Sequence, residues 1–363
     1  MHIGLIIYNN LDTLTGGWIY DRLLVDYLQE QGHTVDVISL TRRNYVRNMA
    51  DNFSPRLYRR LRQHGCRLLL EDQLIHPSLF WLNLRLKQNR SRPIISIVHQ
   101  VLCRQPLKGF QQVFYRTIER RYFQSVDGFI FNSQTTRANV ASLIDLSPSS
   151  LVAYPGGDRL GCLSSDADIE AKCLQAGPLK LIFVGNLTPN KGVLPLIMGL
   201  ARLPEGSWRL SLIGSLTMDR GYVQKAKALI ARLGFEGQVD IPGPLEGPDL
   251  VKRLTESHVF VLPFSYEGFG IACLEAMAWG LPVVGSCAGA LKEFVHDGLN
   301  GLLVAPGDVT GFAEKLYRMH GDRELLARYG AAALQTFRDR PRWKDSLQKI
   351  NSFLLSLADK AER

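Results

Sequence analysis

Glu267 and Glu275 stand eight residues apart in the run Phe264-Ser-Tyr-Glu267-Gly268-Phe269-Gly270-Ile271-Ala-Cys-Leu-Glu275. The run reads as a strand end, a loop and the start of a helix. Glycines at 268 and 270 let a ligand approach the backbone closely. The unbonded N–H groups that open the following helix favour a phosphate. A carboxylate accepting two vicinal hydroxyls is a common way to hold a ribose. With one glutamate before the helix and one inside it, one reaches hydroxyls beyond the phosphate and the other those behind it. The plainer alternative makes Glu267 a helix cap and Glu275 a solvated helix residue. For either glutamate alone that alternative is the better one; the pair, with both glycines and a strand end before it, favours ligand binding.

Other phosphate chemistry is absent. No GxGxxG follows any expected strand, and the first strand–helix loop carries only Gly16-Gly17. The stretch Gly185–Gly192 (GNLTPNKG) approaches a P-loop. It fails because Asn190 stands where a glycine must precede the lysine, and Gly192 replaces the Ser/Thr that holds Mg²⁺. Asp166-Ala167-Asp168 has the DxD form of a metal–nucleotide site, yet it lies in a polar stretch away from any strand end and reads as a solvated acidic pair. Six cysteines are scattered without a CxxC or a His/Cys cluster, which predicts free thiols, a reducing compartment and no zinc site.

The elements that position these residues alternate. Short apolar runs at Ile3–Tyr8, Thr34–Leu40, Arg67–Leu70, Ile94–Val98, Gly128–Phe131 and Leu151–Ala153 are separated by stretches of helical period. A second series follows at Leu179–Val184, Arg209–Ile213, Val259–Leu262, Pro282–Gly285 and Leu302–Val304. Strands buried on both faces and linked by helices imply parallel sheets with crossover helices. The chain of 363 residues, 46% hydrophobic, is long enough for two such cores. The expected fold is α/β: two Rossmann-like, doubly wound parallel-sheet domains facing a cleft. The first spans 1–160 and the second 178–340. The polar stretch 161–177 is expected to be a linker, and a C-terminal helix in 341–363 to pack back on the first domain.

The ordered series of motifs resembles the retaining glycosyltransferases of family 4, which have the GT-B fold. Glu267 and Glu275 match the E-x7-E signature of that family. Gly16-Gly17, Gly32–Ser39 (GHTVDVIS), His99 after a strand, Tyr154–Asp158 (YPGGD), Phe183–Gly192, Leu212–Ser215 and Glu293–Asp308 follow in order. The resemblance implies that Glu275 holds the ribose of a UDP-sugar donor. It implies that Glu267 binds the transferred sugar, helped by backbone amides of Gly268, Phe269 and Gly270, with Ile271 also in the donor site. Lys191 would bind the diphosphate and stabilise the departing nucleotide. Gly16 and Gly17 would let the amino-terminal loop approach it, and His99 would contact the sugar beside the reacting carbon. The base would lie against Gly243-Pro244-Leu245. Asn186 departs from the pattern, because family members usually carry Arg there. No metal and no other cofactor is implied.

Charge adds a partner. Residues 1–150 hold 19 Lys+Arg against 11 Asp+Glu, so nearly all of the net +9 sits there, and seven arginines fall between Thr41 and Arg62. A further cluster, Arg116, Arg120 and Arg121, lies at helical spacing beside Phe114, Tyr115, Ile118 and Tyr122. An anionic membrane surface suits this face, although such apolar residues are more often core. Nucleic acid is not expected, since no reader motif appears. The start of the chain lacks the basic n-region of a signal peptide, and no run is long enough for a membrane span, so a cytoplasmic enzyme, peripheral on the inner face of the membrane, is expected. The acceptor is expected to be a saccharide or glycolipid. The alternatives are an epimerase or phosphorylase of the same fold, or a non-catalytic UDP-sugar-binding protein.

Overall fold

The structure, a computed structural model, describes residues 1–11, 16–88, 92–146, 148–162 and 165–361. The chain divides into two compact units, Met1–Pro155 with Lys344–Arg363, and Gly156–Trp343.

In the first unit, β1 (His2–Tyr8), β2 (Thr34–Leu40), β3 (Leu68–Asp72), β4 (Ile94–Val98), β5 (Gly128–Phe131) and β6 (Ser149–Val152) form one sheet. Its order is β2-β1-β3-β4-β5-β6, and every pairing is parallel. Leu5 opposes Val37 on one side and Leu70 on the other. Ile3, Leu5, Ile6 and Ile7 are wholly buried, which explains why β1 is an unbroken apolar run. Each such side chain contributes about 1.5–3 kcal/mol by leaving water. The C-terminal helix Trp343–Ala361 supplies the end of the chain to this unit. There Asn351 Oδ1 lies 2.8 Å from His33 Nε2, and Leu357 lies against Gly128.

In the second unit, β7 (Leu179–Val184), β8 (Trp208–Ile213), β9 (Val239–Gly243), β10 (Val259–Leu262), β11 (Val283–Ser286) and β12 (Gly301–Val304) pair in parallel. Their order, β12-β11-β10-β7-β8-β9, is that of a doubly wound dinucleotide fold. Strand order reverses between β7 and β10, and in the first unit between β1 and β3. Loops at the carboxyl ends of these strands splay apart and leave room for ligands.

Three expectations change, for the stretch 161–177, for β9 and for β6. The stretch 161–177, expected as a linker, carries helix Asp166–Cys173 and belongs to the second unit. Ser165 caps that helix, and Ile169 and Cys173 are fully buried. β9 was absent from the expected strands, and β6 runs from Ser149 to Val152 rather than from Leu151 to Ala153. In helix Gly109–Phe123, Ile118 and Tyr122 are core residues, while Phe110 and Val113 are the exposed apolar ones.

Candidate active site

The loops after β7 and β10 meet at the switch point of the second sheet. The N–H of Ser265 donates to the carbonyl of Asn190 at 2.9 Å. Gly192 has φ +74°, and a Cβ there would lie 2.0 Å from the Pro263 carbonyl oxygen, so only glycine permits this approach. The contact brings the Lys191 ammonium onto Glu267 Oε2 as an ion pair. The Glu267 backbone is pinned separately: its carbonyl accepts the N–H of Ala290 at 3.1 Å. Phe269 is buried against Phe294, with ring centroids 5.0 Å apart. Gly270 occupies the N-cap of helix Ile271–Met277 with φ +94° and no side-chain cap, so Glu267 is not the cap.

Nor is Glu275 solvated. It is 4% exposed, and its carboxylate takes a two-point contact from Arg159, Nε to Oε1 at 2.8 Å and Nη2 to Oε2 at 3.3 Å. Burial pushes its carboxyl up; the Arg159 guanidinium opposes this and Asp158 adds to it. Gly157 is what lets the Gly156–Leu160 loop lie on this helix, since a Cβ there would come within 2.8 Å of Leu274 Cγ. A carboxylate has about four acceptor sites, so the fork of Arg159 leaves one on each oxygen. Asn186 Oδ1 accepts the N–H of Ser215 at 3.4 Å. Leu245 lies half-buried just past β9. The second unit thus gathers Lys191 with Glu267, and Glu275 with Arg159, as two separate charge pairs.

In the first unit, Gly16 and Gly17 open helix Gly16–Glu30. A Cβ at Gly17 would lie 3.1 Å from His99 Cδ2, so this glycine is fitted to the imidazole. His99 follows β4 and is 8% exposed. Its Nε2 donates to Asp21 Oδ1 at 2.9 Å, and its carbonyl accepts from Asn132 Nδ2 at 2.8 Å.

Sequence reasoning missed Arg159, Asp21 and Asp72. Asp21 left a signal: it shares the buried stripe of its helix with Leu24, Val25 and Leu28, an acid where an apolar residue belongs. Asp72 closes the wholly buried strand Leu68–Asp72.

Two groups among the described residues have metal-ligand types close together, His2–Asp36–His64 and the buried Asp21–Asp72–His99. Asp166 and Asp168 lie in the first turn of a helix, where Ser165 donates to Asp168 Oδ2 at 2.7 Å and Arg338 reaches Asp166 at 3.4 Å. His2 and His64 converge on Asp36 Oδ2 at 2.7 and 3.3 Å. Yet His64 Nδ1 accepts the N–H of Cys66, which places the proton of the neutral ring on Nε2, the nitrogen a metal would need.

Two sequence families match the chain: "Glycosyltransferase Family 4" over residues 15–157 and "Glycosyl transferases group 1" over residues 165–336. A D-inositol 3-phosphate glycosyltransferase of Corynebacterium efficiens is 28% identical over 257 residues, covering 68% of this chain and 60% of that protein. The chain spans less than two thirds of the length of these curated relatives. Sucrose-phosphate synthase from Thermosynechococcus elongatus superposes with a TM-score of 0.82 at 20% identity, over 98% of both chains. HepE of Anabaena, solved with UDP and glucose, superposes with a TM-score of 0.75 at 21% identity, over 98% of this chain and 99% of that one. With glycosyltransferase family matches over residues 15–157 and 165–336, and a two-sheet fold that superposes on these structures over nearly the whole chain, the chain belongs to the glycosyltransferases of GT-B fold.

Proposed function

We propose that this protein is a retaining hexosyltransferase that moves a sugar, glucose in the first instance, from UDP to a hydroxyl of a saccharide or lipid-linked saccharide, in polysaccharide or glycolipid synthesis. The observation that carries the reading is the pair of buried or half-buried glutamates at a switch point, each already matched to a cation. Glu275 accepts the ribose hydroxyls on the lone pairs that Arg159 leaves. Lys191 turns from Glu267 to the diphosphate, where its charge stabilises the leaving group. Glu267, with the amides of Gly268, Phe269, Gly270 and Ile271, holds the sugar, and His99 contacts it near the reacting carbon. Gly16 and Gly17 admit the diphosphate, and Leu245 borders the base. Lysine and amides supply the charge that a metal would otherwise supply, so no cofactor is required. HepE, of the same fold, is described with UDP and with UDP-glucose, which supports the choice of donor.

Thermal shift with UDP, GDP and ADP in EDTA tests the donor. UDP alone is expected to stabilise the protein, by about 2.7 kcal/mol at a hundred times its Kd. A preference for GDP or ADP, or stabilisation that returns only with Mn²⁺, would overturn the donor or the metal-free reading respectively.

Asn186 favours a second reading, a protein that binds UDP-sugar and turns it over slowly or not at all. Its amide carries no charge to offer a diphosphate, whereas a guanidinium would. Asn186→Arg is therefore expected to tighten UDP binding by about 1 kcal/mol, roughly five-fold, through a new charge-assisted bond. Weaker binding would mean that this loop serves another ligand.

The first unit, expected to be the acceptor-side one, carries the membrane proposal. Arg42, Arg47, Arg56, Arg59, Arg60, Arg62, Arg116, Arg120 and Arg121 are exposed, as are Phe110 at 84% and Val113 at 64%. No helix among the described residues is long and apolar enough to cross a membrane. Each cation near an anionic surface contributes about 1 kcal/mol. Cosedimentation with anionic vesicles at low salt, lost at high salt, is the expected result; equal pelleting with neutral vesicles would leave a soluble saccharide as the acceptor.

A further inference from the structure

Beneath His99 lie two carboxyl groups that no step above uses. Asp21, wholly buried on helix Gly16–Glu30, accepts from His99 Nε2 through Oδ1. Asp72, 1% exposed at the end of β3, spends Oδ1 on the N–H of Leu74 at 2.8 Å. The remaining oxygens, Asp21 Oδ2 and Asp72 Oδ2, are buried without a hydrogen-bond partner among the described residues. One oxygen of each and a ring nitrogen of His99 lie within 4.8 Å of one another. Two full negative charges at that separation, out of water, repel strongly.

We propose that Asp21 and Asp72 act as one positioning pair for His99, keeping its proton on Nε2 and holding negative charge beneath the ring, so that Nδ1 is left for the sugar. The proposal rests on the reading that His99 meets the transferred sugar. The ring has little freedom to do otherwise. Gly17 closes one side, Tyr20 packs edge-on at a centroid distance of 5.3 Å, and the backbone is tied to Asn132. Nε2 is spent on Asp21, and Nδ1 has no protein partner among the described residues. In the neutral ring Nδ1 is then an acceptor for a hydroxyl; in the imidazolium it is a donor.

The charges follow from the same geometry. Burial pushes Asp72 up to about 7, the Asp21 charge adds to this, and His99 and Arg42 oppose it. Burial alone would lower His99, but the charge and hydrogen bond of Asp21 and the charge of Asp72 outweigh it, and the imidazole is raised. As pH rises through the Asp72 transition, the trio loses the proton on that carboxyl, and the second negative charge strengthens the hold on imidazolium. Tyr20 from the helix and Arg42 from the segment after β2 are the other titratable groups acting on the trio.

The test is a ¹⁵N titration of the histidine rings in the full chain, from about pH 5 to about pH 9, with His99 assigned through His99→Gln. The wild type is expected to show the Nε2–H tautomer and a midpoint above that of an ordinary histidine. Asp21→Asn should lower that midpoint by about one unit or more and weaken the tautomer preference. Asp72→Asn should lower it less and leave the tautomer unchanged. A wild-type Nδ1–H tautomer, or an unmoved midpoint in Asp72→Asn, would overturn the proposal even if Asp21→Asn fails to fold. Selective broadening of His99 by Mn²⁺ would overturn it too, by making the trio a cation site. Adding UDP-glucose separates the two readings: unmoved His99 signals at saturation would remove the sugar contact while leaving the ring state established.

Discussion

Glu267→Ala is expected to lower sugar transfer by about 10²–10³-fold while leaving UDP affinity the same or tighter. The size is that of removing one preorganised hydrogen-bonding group from a reacting centre. The opposite signs come from the ion pair. In the ligand-free protein the Lys191 ammonium is held on Glu267 Oε2, so a diphosphate must compete for it. Deleting the carboxylate removes that competition, and UDP, which carries no hexose, loses no contact. Transfer loses the group that engages the sugar as charge develops, which lowers kcat rather than binding. The loop itself should survive, because its anchors are backbone contacts: the Glu267 carbonyl to Ala290, and Ser265 to Asn190. Lys191→Ala should instead weaken UDP and transfer together. Parallel losses in Glu267→Ala, with a lowered melting temperature, would show that the glutamate only fastens Lys191 in place.

What could be read in the sequence was local. β1, β4 and β10 are buried on both faces, so each is a run of apolar residues that hides nothing. β9 is an edge strand, Val239-Asp240-Ile241-Pro242-Gly243, with Asp240 and Pro242 exposed; one unpaired side tolerates the proline and blurs the apolar pattern. Helix Asp166–Cys173 buries little beyond Ile169, Lys172 and Cys173, and small polar residues in its other positions made it resemble a linker. The same contrast holds in the site. Glu267, Gly268, Gly270 and Glu275 sit on one loop and one helix, so their spacing is their geometry. The partner of Glu275 is 116 residues away at Arg159, and that of His99 is 78 residues away at Asp21. Such pairings arise from the packing of crossover elements, and no pattern within a window of sequence contains them.

Arg159→Gln carries the second large expectation, on stability and on its pH dependence. Glu275 is nearly fully buried, and the guanidinium fork is what keeps an ionised carboxylate tolerable there. Removing it leaves a buried charge unpaired, a loss of about 3–5 kcal/mol in a dry site. Arg159 retains 24% side-chain exposure, so water offsets part of this, and roughly 1–3 kcal/mol is expected. The sign with pH follows from the raised carboxyl of Glu275. A group raised on folding stabilises below its unfolded value, and that stability is lost as pH rises through the folded value. Arg159→Gln raises the folded value further, so its destabilisation should be small in acid, where Glu275 is protonated, and grow toward neutral and alkaline pH. Arg159→Gln/Glu275→Gln removes both charges and should recover most of the loss at neutral pH. UDP affinity separates stability from binding. Glu275→Ala should weaken UDP by roughly 1–3 kcal/mol through the lost ribose bonds. Arg159→Gln should weaken it chiefly at low pH, where the unsupported carboxylate takes up a proton and accepts less well. If UDP binds a folded Glu275→Ala protein as it binds the wild type, the glutamate belongs to the Arg159 pair alone and the ribose lies elsewhere.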